Sequence, residues 1–336
     1  MHHPCPASLS HCGPMPLLRR SAAALLLAAT GLAPLTAAYA QAPAGPGPGA
    51  RLREHLATRL QGPAAALPAG VRLLADQPYG PDPRQRMDVY LPAHPAPAAD
   101  GARAPVIFMV HGGGWRHGGK AMGRVVENKV ARWVGRGLVL VSVDYRLLPE
   151  TPVAQQVQDV ALALAHAQQQ AAAWGADAQR FILMGHSAGA HLVALINARP
   201  ALARSLGASP WLGAVALDSA VLDLPTFMRA PHLRLYDEAF GSDPAYWQAL
   251  SPYHQWTPGA APLQLVCSTE RRDQPCLQAQ ALARHVRSQG GRAEVLPQPL
   301  THGEINARLG LEGNYTQAVE DFMASLDAQV AQRLGR

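Results

Sequence analysis

The chain has 336 residues, 48% hydrophobic and 15% charged, which suits one sizeable globular domain. Its formal charge of +6 is almost all arginine, with Lys120 and Lys129 the only lysines. The arginines are scattered rather than gathered into a stripe, which speaks against a nucleic-acid partner.

Residues 1–40 read as an export signal. Arg19 and Arg20 form a positive start, residues 22–33 an apolar run, and Ala38-Tyr39-Ala40 a small-x-small cleavage site before Gln41. The apolar run is too short and too alanine-rich to span a membrane, so the processed chain is expected in the periplasm or secreted, with no stable membrane span. The first fourteen residues do not resemble a leader, which leaves Met1 and Met15 both open as the start. No cysteine follows the apolar run closely, against a lipid anchor. Cleavage removes two arginines and no acids, so the charge falls from +6 to +4. It also removes Cys5 and Cys12. The remaining pair, Cys267 and Cys276, is expected to form a disulfide in an oxidising compartment, with two buried thiols as the alternative.

Residues 41–70 read as a linker and N-terminal segment, rich in Ala, Pro and Gly to residue 50 and then a short helix over 51–60. The domain proper is expected over 71–336. Residues 71–74 and 86–91 have strand character with a Pro/Gly/Asp turn between, as in an antiparallel hairpin at a sheet edge. Residues 105–110 form a continuous apolar run, the mark of a strand buried on both faces. The chain then alternates. Helices are expected over 123–134, 153–173, 277–289 and from 315 to about 330. Strands are expected over 138–143, 212–217, 263–267 and 293–296, with a further strand and helix around Ser187. This order predicts an α/β fold with a mostly parallel sheet and helices on both faces. Residues 222–262 break the rhythm: Tyr236, Phe240, Tyr246, Trp247, Tyr253 and Trp256 follow no clean period. They are expected to form a small cap over the site, unless they only pack on the body.

Chemistry concentrates at Phe181-Ile-Leu-Met-Gly-His-Ser-Ala-Gly-Ala-His-Leu-Val193. An apolar strand, a serine between Gly185 and Gly189, and an alanine-rich helix make a sharp turn that holds Ser187 out as a nucleophile. His111-Gly-Gly-Gly-Trp115 follows the 105–110 strand. Consecutive glycines there let backbone N–H groups approach an oxyanion, and Gly113, Gly114 and Ala188 are the expected donors. Each such donor is worth about 3 to 4 kcal/mol of barrier. A serine needs a base and the base an orienting carboxylate, in the chain order Ser, Asp/Glu, His for such a sheet. His302, after the last strand, is the expected base. Asp273, in the loop after the 263–267 strand, is the expected acid, with Glu270 its rival. A Cys267–Cys276 bridge would close that loop. His111 is expected to brace the glycine loop, His186 and His191 to pack, and His285 to lie on a helix surface. No His/Cys cluster has zinc spacing and no phosphate-binding glycine motif occurs, so neither metal nor cofactor is expected.

These motifs resemble the alpha/beta-hydrolase superfamily, in particular the esterases related to hormone-sensitive lipase. The H-G-G-G-W loop, Val143-Asp-Tyr-Arg-Leu-Leu-Pro-Glu150 and the serine turn occur in that family's order, and the likeness runs from about Arg72 to the C-terminus. The resemblance implies that residues 144–150 brace the site floor. It departs where that family commonly has Asp before the nucleophile and this chain has His186, and where Arg271-Arg272 precede Asp273. The string around Ser187 is similar to kynurenine formamidases and to the bacterial feruloyl and acetyl-xylan esterase-like group. The implied function is an exported serine carboxylesterase acting on small-molecule esters of short to medium chain. A formamidase-type (arylformamidase-like) amide hydrolase and a non-catalytic binding protein on the same fold are the rivals.

Overall fold

Alternating apolar runs build the centre of the molecule. The computed structural model describes residues 67–93 and 103–336. The export signal, the helix expected over 51–60 and most of the N-terminal segment lie outside the described residues. The strands are β1 (Val71–Pro78), β2 (Arg86–Pro92), β3 (Ala104–Val110), β4 (Val139–Val143), β5 (Ala176–His186), β6 (Gly213–Leu217), β7 (Leu263–Ser268) and β8 (Ala293–Gln298). They form one eight-stranded sheet in the order β1-β2-β4-β3-β5-β6-β7-β8. β1 and β2 form the edge hairpin, β2 meets β4 antiparallel, and every other pairing is parallel.

Successive strand side chains point to opposite faces, and the core divides accordingly. Val106, Phe108 and Val110 of β3 join one apolar cluster, while Ile107 and Met109 join the other. All five are fully buried, each worth roughly 1.5 to 3 kcal/mol against exposure. The helices α1 (Gly123–Trp133), α2 (Val153–Gln170), α3 (Ala188–Ala198) and α4 (Pro200–Ser205) follow in the chain. α2 and α3 cover the face of Val106, while α1 covers the face of Ile107.

The stretch 222–262 folds as four short helices, α5 (Leu224–Met228), α6 (Arg234–Phe240), α7 (Pro244–Ala249) and α8 (Pro252–Gln255). Its aromatics divide between both expected roles. Tyr246 Oη accepts from the Ala154 N–H of α2 at 3.2 Å, and Trp256 is buried in the body. Tyr236 and Phe240 instead meet Trp115 edge-on, at 5.9 and 4.8 Å between ring centres.

The remaining helices are α9 (Pro275–Ser288), α10 (His302–Ala307), α11 (Asn314–Ala324) and α12 (Ala328–Leu334). The single last helix read from the sequence is therefore two. Asp327 accepts from the Gln329 and Val330 N–H groups, so a new helix starts where a continuous one was expected. Glu320 of α11 is fully buried and accepts from Arg132 Nε at 2.8 Å and Trp133 Nε1 at 3.0 Å, clamping α11 to α1. Cys267 and Cys276 are disulfide-bonded, with 5.1 Å between their Cα atoms. The bridge ties the end of β7 to the start of α9.

Candidate active site

Parallel strands deliver their C-terminal ends to one edge of the sheet. There β3 runs into His111–Trp115, β5 into Ser187, β6 into Asp218, β7 into the loop 269–274, and β8 leads to His302.

Ser187 has φ 56° and ψ −117°, a conformation that side chains with a Cβ rarely adopt. Two close approaches hold it. A Cβ on Gly185 would collide with the Gly189 carbonyl, and one on Gly189 with the Val110 carbonyl. The Ser187 N–H donates to Leu217 O at 2.9 Å, fastening the turn to β6. Ser187 Oγ then lies 2.9 Å from His302 Nε2. His302 opens α10, whose Thr301 cap and Glu304 bond each other reciprocally in a capping box.

The partner of His302 is not the expected one. His302 Nδ1 lies 2.6 Å from Asp218 Oδ2. Asp273 is bound instead by Arg271, through Nε at 2.9 Å and a second contact from Nη2. Glu270, the rival, is exposed and contributes its backbone N–H to Ser268 Oγ at 3.1 Å. The reason is topological. β6 and β7 are neighbours, so the end of either can supply an acid beside His302, with Ser, acid, His order kept in both cases. Asp218 leaves β6 directly, at φ 62°, with its own N–H still donating to Val266 O at 2.8 Å. Its carboxylate is thereby kept at the sheet edge, fully buried. Asp273 lies further along an exposed turn.

Asp218 is well held. Oδ1 accepts from the Ser268 N–H at 2.8 Å, and Oδ2 from Arg271 Nη1 at 2.9 Å as well as from His302. Burial alone would raise its carboxyl, but the His302 hydrogen bond, the Arg271 charge and the Ser268 N–H prevail and hold it below the usual carboxylate range. Ser268 Oγ also donates to Leu300 O at 2.6 Å, joining the end of β7 to the loop that carries His302. Sequence reasoning missed Asp218, Arg271 and Ser268. The available signal was the Asp standing immediately after the apolar strand at 212–217.

The flanking histidines do more than fill space. His186 lies with its ring 4.5 Å from that of His302, and its Nε2–H donates to the His302 carbonyl at 2.9 Å. Burial, then the His302 charge, pushes its pKa down to about 3, so it stays neutral. His191 is buried with Nε2–H donating to Leu250 O at 2.7 Å, and burial pushes its pKa down to about 4. His285 stacks on Tyr253 at 4.3 Å, away from the site.

The glycine loop is braced from beneath. His111 stacks on Tyr145 at 4.5 Å, Tyr145 Oη donates to His111 O at 3.0 Å, and the Leu148 N–H to Trp115 O at 2.9 Å. Segment 144–150 thus supports the loop. Gly113 has φ 127° and faces His117 so closely that a Cβ there would collide with its carbonyl. Gly113 and Gly114 line the same cavity as Ser187 and Ala188. Ala188 opens α3, where a helix's first N–H groups have no partner within it. The cavity measures about 410 Å³ and its remaining wall is largely apolar, with Met122, Val125, Leu233, Leu235 and Tyr236. Leu235 approaches Gly114, so the cap forms part of this wall. Among the described residues no group of three or more His, Cys, Asp or Glu side chains could hold a metal ion, and no helix is long and apolar enough to cross a membrane.

A mostly parallel eight-stranded sheet with a serine turn after β5 and a histidine after β8 is the arrangement of the alpha/beta-hydrolase fold. The chain has that fold, and the proteins it is similar to are esterases. Residues 87–206 match the family model described as BD-FAE. A rice protein (Oryza sativa subsp. japonica) named probable isoprenylcysteine alpha-carbonyl methylesterase is 33% identical over 129 residues, 38% of this chain and 29% of that protein. Carboxylesterase NlhH of Mycobacterium tuberculosis is 36% identical over 129 residues, 37% of this chain and 38% of its own. The chain thus spans less than half the length of these relatives. Esterase B from Lactobacillus rhamnosis superposes with a TM-score of 0.64 at 20% identity, covering 85% of this chain and 94% of that one. Thermogutta terrifontis esterase 2 gives 0.61 at 24% identity, covering 77% and 96%. At these identities the two structures speak for the fold.

Proposed function

We propose that the chain is a serine carboxylesterase acting on small esters of short to medium acyl chain. One observation carries the reading: Ser187 Oγ, His302 and the Asp218 carboxylate stand in line, 2.9 and 2.6 Å apart. Asp218 can only accept, so Nδ1 of His302 carries the proton and Nε2 is left with a lone pair facing Ser187. Ser187 attacks the ester carbonyl as Nε2 takes its proton, and backbone N–H groups of Gly113, Gly114 and Ala188 receive the oxyanion. His302 returns the proton to the leaving alcohol. Water, activated by the same Nε2, then releases the acid from the acyl-enzyme.

The esterase names of the sequence relatives support ester over amide, and a largely apolar cavity of about 410 Å³ supports a modest acyl group. Hydrolysis of nitrophenyl esters from acetate to palmitate tests this. Turnover is expected to be fastest on the short esters and to fall steeply toward palmitate. Faster turnover of long-chain emulsions, or of formanilides over all esters, would overturn it.

The reading extends to location. A positive, then apolar N-terminus ending in Ala38-Tyr39-Ala40, with a disulfide in the domain, supports export to the periplasm or beyond. The mass of the protein recovered from its producing cells is expected to place its first residue at Gln41. An intact N-terminus on the disulfide-bonded, active protein would contradict export with cleavage.

A further inference from the structure

Arg271 stands at the one place where the loop after β7 meets the Asp218–His302 pair, and the proposed mechanism does not use it. Its Nη1 donates to Asp218 Oδ2 at 2.9 Å and to the Asp218 carbonyl at 3.1 Å, while Asp273 binds Nε and Nη2 from the outer side. Nη1 also lies 3.0 Å from His302 Nδ1. Nδ1 already carries the proton that Asp218 accepts, so that approach sets donor against donor, both N–H groups converging on Oδ2. The guanidinium is largely buried, its side chain 16% exposed, so solvent screens its charge poorly. The disulfide closes the ends of the loop that carries it.

A lone carboxylate beside a histidine would stabilise the imidazolium and make His302 a stronger base. It would also keep the imidazole protonated, and idle, to higher pH. A fixed positive charge at 3.0 Å opposes this. The other groups facing His302 do not supply such a charge. His186, from the end of β5, is neutral. Lys129 of α1 donates to the Asn306 carbonyl at 2.7 Å, and burial pushes its pKa down to about 7, so it is charged below that pH but is held on Asn306 rather than against the imidazole. Tyr236 of the cap faces Arg271, and burial foremost pushes its phenol up, so it too stays neutral.

We infer that Arg271 is a positioning residue that pins the Asp218 carboxylate against His302 and sets a permanent positive charge against the imidazolium that the carboxylate would otherwise favour. The inference rests on His302 being the base of the proposed reaction, but its test does not require turnover. The His302 ring is followed by proton NMR across pH, assigned by its loss in His302→Gln, alongside the acid limb of kcat/KM for nitrophenyl acetate. In Arg271→Met the His302 titration and the acid limb are both expected to move up by about one pH unit. Arg271→Gln, which keeps a donor for Asp218 without the charge, is expected to shift equally while retaining more of kcat, and serves alone if the Met variant does not fold. Arg271→Lys is expected to stay near the wild-type titration. Neutral variants that titrate like the wild type would overturn the inference, even if slower, since a merely structural arginine moves the plateau and not the limb. A shift in the NMR titration without esterase activity in the wild type would sink the function and leave the role of Arg271 standing.

Discussion

Asp218→Asn is expected to lower kcat by about four orders of magnitude, whereas Asp273→Asn is expected to cost less than about tenfold. The carboxylate of Asp218 accepts the Nδ1 proton of His302 at 2.6 Å. An amide in its place can turn an N–H toward Nδ1, which reverses the tautomer and leaves Nε2 protonated against Ser187. KM should change little, because Asp218 is fully buried behind the imidazole and does not receive substrate. Asp273 acts only through Arg271, on a turn open to solvent, so its loss loosens the arginine without stripping His302 of its acceptor. Steady-state kinetics on nitrophenyl acetate measures both variants. A larger loss in Asp273→Asn than in Asp218→Asn would return the acid to the loop after β7.

Ser187→Ala is expected to reduce kcat by about a million-fold, since in the proposed mechanism this residue bonds to the acyl carbon. The fold should survive. The Ser187 side chain bonds to His302 Nε2, while the strained turn is held by backbone, through the N–H bond to Leu217 O and the close packing of Gly185 on Gly189. Alanine carries the same Cβ, so the positive φ costs what it cost before. What activity remains would come from substrate binding beside the glycine loop and the start of α3.

Ser187, His302 and the glycine loop are legible in the sequence as candidates, and the reasons differ from residue to residue. Gly185 and Gly189 announce a backbone collision that only glycine avoids, and such a constraint is written in two letters at fixed spacing. His302 follows the last strand, while the other histidines at strand ends, His111 and His186, adjoin the glycine loop and the serine turn. The continuous run at 105–110 could only be a strand covered on both faces, which placed His111–Trp115 at the working edge of the sheet. Asp218 escaped because its role depends on which strands are neighbours. Sequence order allows an acid after either β6 or β7, and the choice is made by three-dimensional packing: a carboxylate directly off β6 stays buried, while one on an exposed turn is drawn outward by Arg271. Arg271 stands out in the sequence as a departure from the pattern the chain resembles, but its partner lies 53 residues away in the chain.

The cap shows the opposite limit. Helices as short as α5 to α8 carry too few turns to print a period, so their aromatics gave composition without placement. Only contacts separate Tyr236, which walls the cavity, from Trp256, which fills the body. The break between α11 and α12 was hidden because Asp327 reads equally well as a surface residue of a longer helix and as a cap.

The most direct test of the account is the intact mass of the purified protein after exposure to a fluorophosphonate, with peptide mapping of the adduct. The wild type is expected to gain a single adduct on the peptide that holds Ser187 and to lose its esterase activity in step, while Ser187→Ala stays unlabelled and inactive. Ester hydrolysis that persists in Ser187→Ala, or an adduct that forms elsewhere as activity disappears, would contradict it.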